Sequence, residues 1–138
     1  MAGLGLRLAT GDKLVINGAA IHFVTGADIR LANKARFLFG RQIMAPHEAN
    51  TAARRIYYAL QVAHVGEPDE RAAALAEAAL LIDMFSGETT SPTARRLLDE
   101  ALRTAHCGNT YLALKIARRI IAHEDAVLSM ARDTSTVS

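Results

Sequence analysis

Two short segments mix arginine, lysine and tyrosine at helical spacing: ARRIYYALQ at residues 53–61 and YLALKIARRIIAHE at residues 111–124. Residues three or four apart share one side of a helix, so each segment would bring its polar side chains together. The two groups are Arg54, Arg55 and Tyr58, and Lys115, Arg118 and Arg119. Such faces can hold phosphates or the acidic side chains of a partner protein. The alternative is that the tyrosines pack half buried while the arginines solvate the outer face or pair with neighbouring acids.

Further basic residues lie within residues 1–45. That part holds six basic residues against two acidic ones, whereas the whole chain carries a formal net charge of +2. The six are Arg7, Lys13, Arg30, Lys34, Arg36 and Arg41. Clustered lysine and arginine attract polyanions through counterion release, which makes these residues candidate nucleic-acid contacts. The alternative is an ordinary solvated sheet surface.

Residues suited to catalysis or metal binding are sparse. The five histidines are scattered, and none falls in a spacing typical of a zinc site. The single cysteine, Cys107, follows His106 directly, whereas catalytic cysteine and histidine side chains are brought together by folding. No phosphate-binding loop or dinucleotide-binding fingerprint occurs in the sequence. We therefore expect a protein that is not an enzyme and that has no cofactor or metal.

Length and hydropathy exclude a large multidomain machine and a membrane protein. The chain has 138 residues, enough for one ordinary domain or two small units that share an interface. Charged residues interrupt every apolar stretch before the ~18 residues that a membrane span needs. The segment MAGLGLRLAT lacks the features of a secretory leader. We expect a cytoplasmic protein that does not enter membranes.

The N-terminal part is predicted to be a β-rich unit over residues 1–45. Short apolar or alternating runs are separated by TGD, NG, TGA and NK, which is typical of a meander of consecutive antiparallel strands. In KLVINGAAI, Asn17-Gly18 can adopt the positive φ values of a type I′ turn, so a tight hairpin is predicted there. A sheet this small leaves a face or an edge open unless another element or another chain covers it.

After Pro46 the sequence becomes rich in alanine and leucine at helical spacing. This pattern predicts helices over about 51–65, 68–85, 93–106 and 110–132, followed by a disordered tail at 133–138. Short connections favour an antiparallel bundle. The predicted fold class is α+β, with a small antiparallel β-rich N-terminal unit and an antiparallel four-helix unit, residues 46–132, for packing and partner binding.

The second predicted helix is apolar around more than half of its circumference. Its predicted stripe is Ala72, Leu75, Ala79 and Ile82, widened by Leu80, Leu81 and Met84. We expect this helix to be central, packed against both the sheet and the other helices, although some of its surface can instead serve a partner. In the last helix the residues predicted to be buried are Leu112, Ala113, Ile116, Ile120, Ile121, Val127 and Leu128.

Three segments, in order along the chain, resemble the FlbT family, regulators of flagellin synthesis in alphaproteobacteria. KLVINGAAI is similar to that family's strand–turn–strand signature, ARRIYYALQ to its first helix and YLALKIARRIIAHE to its last, with IMAPHEAN at the junction. One departure is Thr51-Ala52, where the family commonly has Thr-Pro. The resemblance implies a regulator that associates with the 5′ untranslated region of flagellin mRNA and lowers its translation and lifetime. It also implies a protein partner, FlaF.

The N-terminal unit resembles, more loosely, the CsrA family of small β-rich mRNA regulators. LRLATGDKLVING is similar to that family's first two strands, and DIRLANKARFLFGRQI to its run from a late strand to the exit. In that family basic residues on the first strand and near the end of the last contact RNA, and the matching positions are Arg7 and Arg41. The resemblance also implies a homodimer formed through the β-rich unit, because CsrA-type sheets pair between two chains.

These observations lead to two hypotheses from different classes. In the first, the protein regulates flagellin synthesis after transcription, its six N-terminal basic residues contact single-stranded RNA, and the basic helix faces bind partner proteins. In the second, it is a protein-binding adaptor or chaperone-like module that acts on flagellin or FlaF without touching RNA. Titration of the protein against a flagellin leader RNA separates the two.

Overall fold

The computed structural model describes residues 4–32 and 35–137, with side chains through residue 131. The strands are β1 (Leu4–Leu8), β2 (Lys13–Ile16), β3 (Ala19–His22), β4 (Ala27–Leu31) and β5 (Phe37–Phe39). The helices are α1 (Ala52–Val65), α2 (Pro68–Glu88), α3 (Pro92–His106) and α4 (Thr110–Val137). All strand pairs are antiparallel, and the strands precede the helices, which confirms the predicted α+β class.

The strands do not form the predicted meander of consecutive pairs. β1 pairs with β4, and β2 lies between β3 and β5. Every pair in the β1–β4 and β2–β3 ladders is equidistant from the Asn17-Gly18 turn, as Leu14 with Ile21 and Leu6 with Ile29 show. The first four strands are therefore one long hairpin over residues 4–31.

The predicted turns TGD and TGA are interruptions that face each other across this hairpin. Residues 9–12 separate β1 from β2, and residues 23–26 separate β3 from β4, so equal lengths leave the register unchanged. The Gly11 N–H donates to the Phe23 carbonyl (2.7 Å), and the Phe23 N–H donates to the Asp12 carbonyl (2.9 Å). The meander prediction was wrong because glycine-rich signals mark a kink in a strand as readily as a chain reversal.

The predicted type I′ turn at Asn17-Gly18 is confirmed. Asn17 has φ 47° and Gly18 has φ 88°, the positive values that both central positions need. The turn also contacts the helices, because the Gly18 N–H donates to the carbonyl of Val65 at the end of α1 (2.7 Å). It therefore ties the long hairpin to the helical unit as well as closing it.

Helix starts follow the local capping signals. The Thr51 hydroxyl accepts a hydrogen bond from the Arg54 N–H, and the Ser91 hydroxyl accepts one from the Ala94 N–H, both at 3.2 Å. Pro68 and Pro92 are the first residues of α2 and α3, where a missing N–H costs nothing. Thr51 caps α1 without the proline that the family commonly has at the next position.

The central helix is α1 rather than the predicted α2. α1 contacts α2, α4 and β5, and most of its side chains are buried. The buried residues of α2 are Ala74, Ala78 and Ile82, whereas Leu80 and Met84 are 60% and 52% exposed. In the predicted stripe, Ile82 is buried and Leu75 and Leu81 pack against the core, as expected. The prediction was wrong for Ala72, Leu80 and Met84, which are exposed, because apolar residues surround this alanine-rich helix and mark no single face.

Helix α4 is longer and less buried than predicted. It continues to Val137, beyond the predicted end near Arg132. Ala113, Ile116 and Ile120 are buried as expected. Leu112, Val127 and Leu128 are instead 42%, 49% and 45% exposed, so their predicted burial was wrong.

Helices α1 and α4 run antiparallel. The end of α1 meets the start of α4 where His64 contacts Thr110, and the start of α1 meets α4 again where Arg54 contacts Asp125. No helix within the described ranges is long and apolar enough to span a bilayer.

Candidate nucleic-acid interface

Arg7 and Arg30 lie on one face of the β1–β4 ribbon. Arg7 pairs in register with Asp28, and Arg30 pairs with Gly5, which places both arginines and the aspartate on the same side. The Arg7 Nε lies 3.0 Å from the Asp28 Oδ1, and the two side chains are 88% and 72% exposed. The surface charge of this face is therefore partly neutralised, and an exposed pair of this kind adds little stability.

The remaining N-terminal candidates are spread over separate places. Lys13 is exposed on β2, where it pairs with His22. The Arg36 guanidinium is half buried and donates to the Thr110 hydroxyl (3.2 Å) and the Ala63 carbonyl (3.5 Å), which joins the β unit to two helices. Arg41 is exposed in the turn after β5. Lys34 lies outside the described residues.

Helix α4 presents three cations and one tyrosine at the surface. Tyr111, Lys115, Arg118 and Arg119 are all exposed, and their spacing places them along adjacent sides of the helix. The Lys115 Nζ lies 5.0 Å from the centre of the Tyr111 ring, which is a cation–π contact. We call these four residues, with Arg41, the α4 basic face.

Arg118 connects this face to the segment that carries Arg41. Its Nη2 donates to the Arg41 carbonyl and to the Tyr57 hydroxyl (3.1 Å), and its guanidinium lies 4.8 Å from the centre of the Tyr57 ring. The Tyr57 hydroxyl in turn donates to the Gln42 carbonyl (2.6 Å). Burial raises the pKa of Tyr57 despite the nearby Arg118 charge, so the phenol stays a proton donor.

A small cavity of about 200 Å³ opens beside these side chains. Its polar rim includes Gln42, Tyr111, Lys115 and Arg118, and the Gln42 Nε2 donates to the Tyr111 hydroxyl (3.1 Å). This bond holds the Tyr111 ring, 39% exposed, beside the turn that follows β5. Sequence reasoning missed Tyr111 and Gln42. The i, i+4, i+7 spacing of Tyr111, Lys115 and Arg118 was a signal that could have identified the tyrosine.

The second predicted helical group does not stay together. Arg54 turns toward α4, where its two terminal nitrogens each lie 2.9 Å from an Asp125 carboxylate oxygen. The hydrogen bond to Asp125 is the main reason that the pKa of Arg54 is raised. Glu124, 3.7 Å from the same guanidinium, accepts the Ala53 N–H at the start of α1 (3.1 Å). Arg54 therefore ties two helices together.

Arg55 and Tyr58 instead line a groove of about 480 Å³ between α1 and α2. Its apolar floor includes Ala59, Val62 and Leu81. Its acidic residues are Asp69, Glu70 and Glu77. We call this the α1–α2 groove. Three carboxylates beside one guanidinium suit a basic protein segment better than a polyanion.

Glu67, Asp69 and Glu70 bring their carboxylate oxygens within 4.8 Å of one another at the start of α2, and all three are exposed. Glu70 accepts a hydrogen bond from the Glu67 N–H (3.2 Å), and acids are favoured at a helix N-terminus. This capping role accounts for their position. Cys107 is exposed at the end of α3.

Comparison with known proteins gives the relationship of the chain. The profile of the family described as "Flagellar protein FlbT" matches residues 4–128, which include the long hairpin, α1 and the α4 basic face. The chain belongs to the FlbT family. The predicted family resemblance is therefore confirmed.

Curated relatives of this family carry the name "Probable flagellum biosynthesis repressor protein FlbT". The relative from Chelativorans sp. is 29% identical, with 92% of this chain and 87% of the relative aligned. Those from Brucella ovis and Brucella anthropi are 29% and 28% identical, covering 82% and 91% of this chain and 74% and 82% of the relatives. The FlbT relatives are thus named as repressors rather than enzymes. No solved structure matches the chain.

Proposed function

We propose that this FlbT family member represses flagellum synthesis after transcription, by binding the 5′ untranslated region of flagellin mRNA in the cytoplasm and promoting its decay or blocking its translation. The names of the relatives support the repressor role. The observation that supports RNA as the ligand is the α4 basic face, where an exposed tyrosine lies beside Lys115 and two exposed arginines.

The α4 basic face combines the two features that single-stranded RNA uses. Lysine and arginine side chains neutralise phosphates, and an aromatic ring gives a base a surface to stack on. Lys115 and Arg119 provide the charges, because Arg118 is partly engaged with Tyr57. Arg41 extends the face toward the β unit. The proposal thus moves the main contact from the N-terminal strands to α4, and keeps Arg41.

Titration of a flagellin leader RNA with purified protein, followed by fluorescence anisotropy over a salt series, tests the phosphate contacts. Lys115→Gln with Arg119→Gln should weaken binding roughly tenfold or more, because charge-assisted hydrogen bonds are lost. The slope of log affinity against log salt should fall by about 0.7 for each lost phosphate contact. Arg96→Gln with Arg103→Gln, two exposed cations of α3, is the matched control and should bind like the unmodified protein.

Three further variants locate the contact. Tyr111→Ala should weaken binding roughly 5- to 150-fold, from about 1–3 kcal/mol per stacked base, while Tyr111→Phe keeps the ring and should retain most of the affinity. Arg7→Gln with Lys13→Gln reports on the N-terminal strands. If only the Arg7→Gln, Lys13→Gln variant weakens binding, the RNA contacts the hairpin, and the assignment of the site to the α4 basic face is wrong. If the unmodified protein does not bind the leader RNA, direct RNA recognition is refuted.

The α1–α2 groove supports a second candidate function, an adaptor for a protein such as FlaF or flagellin. The groove combines an apolar floor with the carboxylates of Asp69, Glu70 and Glu77, as a basic amphipathic segment requires. Ala73→Arg would place a long cation in the groove and should abolish binding of either protein in calorimetry. Ala72→Arg, the adjacent residue outside the groove lining, is the control. Equal binding by both variants would exclude the groove.

A further inference from the structure

The outer edge of β4 is open. The β1–β4 sheet contains two strands, and no strand in the described part of the chain pairs with the other side of β4. The residues on β4 alternate strictly: Asp28 and Arg30 point to the charged face, whereas Ala27, Ile29 and Leu31 point to the apolar face. An open edge with an ordered pattern of this kind can accept another strand through its backbone groups.

We propose that two copies of this chain associate by antiparallel pairing of β4 with β4 of the second copy, on a twofold axis that passes by Ile29. In this register Asp28 lies opposite Arg30 of the second copy, and Arg30 lies opposite Asp28 of the second copy. Arg7 is already paired with Asp28 across the ribbon. Each aspartate therefore lies between two arginines in a continuous four-stranded sheet.

The apolar face agrees with the same register. Ile29 lies opposite itself, and Leu31 lies opposite Ala27 of the second copy. Cross-strand pairs of opposite charge and of apolar side chains each stabilise a sheet, so both faces favour this pairing. The interface is isologous, as expected for a twofold dimer.

Neighbouring registers of β4, and the edge of β1 in the same sheet, fit less well. An axis at Asp28 or at Arg30 would place like charges directly opposite each other, which destabilises a sheet. A shift by one residue would set charged side chains against the apolar face. Pairing of β1 with β1 of the second copy would place Arg7 opposite Gly5 of that copy, so no opposite charges would pair. The pairing rests on the hairpin alone and does not depend on the proposed RNA or adaptor function.

Charge reversal tests the register in the full-length protein, by sedimentation equilibrium over a range of concentrations. Five residues per strand make a small interface, so we expect a dimer that dissociates on dilution. Arg30→Asp places like charges opposite each other twice and should weaken the dimer about tenfold or more. Reversal of the whole row, Arg7→Asp with Asp28→Arg and Arg30→Asp, restores each opposite pair and should restore the dimer. Failure of this rescue contradicts the register.

Cysteine crosslinking tests the edge without changing charge. In a Cys107→Ser background, Ile29→Cys should crosslink two chains rapidly through a short bifunctional thiol reagent, because residues opposite each other have Cα atoms ~4.5–5.5 Å apart. Leu6→Cys is the matched control on β1, where the two copies would be ~14 Å apart, three strand spacings. Equal or faster crosslinking of Leu6→Cys would refute the β4 edge. A monomer at every concentration would refute the dimer.

Discussion

At the scale of single residues, the basic side chains divide into those that hold elements together and those that face solvent. Arg36, Arg54 and Arg118 each bond to a residue of a different element. Their guanidinium groups carry several donors in a fixed geometry, which suits them to such links. Lys115 and Arg119 remain exposed on α4. Residue type alone does not separate these roles, because Arg118, which bonds to Tyr57, and Arg119, which does not, are adjacent on α4.

His64 is the residue whose protonation should affect stability. It is 9% exposed, and its Nδ1 shares a hydrogen bond of 2.7 Å with the Thr110 hydroxyl. The oxygen of this hydroxyl accepts a hydrogen bond from Arg36. Burial, followed by the Arg36 charge, lowers the pKa of His64 in the folded state, while a hydrogen bond with the Phe37 backbone opposes this. The folded protein therefore favours the neutral ring, and the unfolded chain binds the proton more readily.

We predict that the free energy of unfolding falls as the pH drops below about 6.5, the ordinary histidine value, toward the lower pKa of the folded state. Above about 6.5 both states hold a neutral ring, so the full contribution is present there. Urea unfolding at pH 7.5 and pH 5.5 measures the change. His64→Gln should reduce the difference between the two pH values, whereas His106→Gln, at an exposed position, should leave it unchanged. An equal effect of both variants would contradict the assignment.

At the scale of elements, the long hairpin and α1 organise the molecule. The hairpin spans residues 4–31 with matched interruptions, so its strands keep one register from the turn to the open edge. Its turn docks on the end of α1, where Gly18 bonds to Val65. A single short turn thus holds the β unit against the end of α1.

Replacement of Gly18 by valine should destabilise the protein by about 1–3 kcal/mol, because φ 88° is unfavourable for a β-branched residue. The new Cβ would also lie 2.9 Å from the Glu67 Cγ and 3.2 Å from the Glu67 Cα. Thermal unfolding followed by circular dichroism measures the loss. Gly5→Val is the matched control, since a Cβ at that strand position meets nothing within 4 Å. An unchanged melting temperature for Gly18→Val would refute this role of the turn.

At the scale of the whole molecule, one hydrophobic core joins the β3–β2–β5 sheet to the helices. Leu38 of β5 is 1% exposed and belongs to the same buried cluster as Ile56, Leu60 and Ile120. The partner of Leu38 on β2, Val15, packs against this cluster. The position of Arg41 and Gln42 beside α4 depends on this contact, because they follow β5 directly.

Leu38→Ala should lower the free energy of unfolding by about 2–5 kcal/mol, because it removes buried contacts and leaves a cavity. Leu80→Ala, at a leucine that is 60% exposed, should change it by less than about 0.5 kcal/mol. Guanidinium unfolding, monitored by helical circular dichroism, compares the two. If Leu38→Ala leaves helix unfolding unchanged, the sheet and the helices do not share a core.

Local signals in the sequence determined the kinds of element and their order. Asn17-Gly18 predicted its turn, because only a few residues accept positive φ at both positions. Thr51 and Pro68 indicate the starts of α1 and α2 through capping chemistry that acts within one turn. In α3, the helical spacing of Leu97, Leu98 and Ala101 predicts one apolar face, and all three residues are buried in the structure. The order of the three family segments also sufficed to predict the FlbT relationship.

Only the tertiary structure decided which elements pair, which helix is central and which cations stay exposed. The pairing of β1 with β4 depends on two interruptions facing each other, a match between residues that are distant in sequence. The burial of α1 rather than α2 depends on neighbours, because alanine-rich α2 has no marked face. Arg54 and Arg118 bond to residues of other elements, whereas Lys115 and Arg119 remain exposed on α4. Local pattern specifies conformation, but long-range contacts select the partner of each side chain.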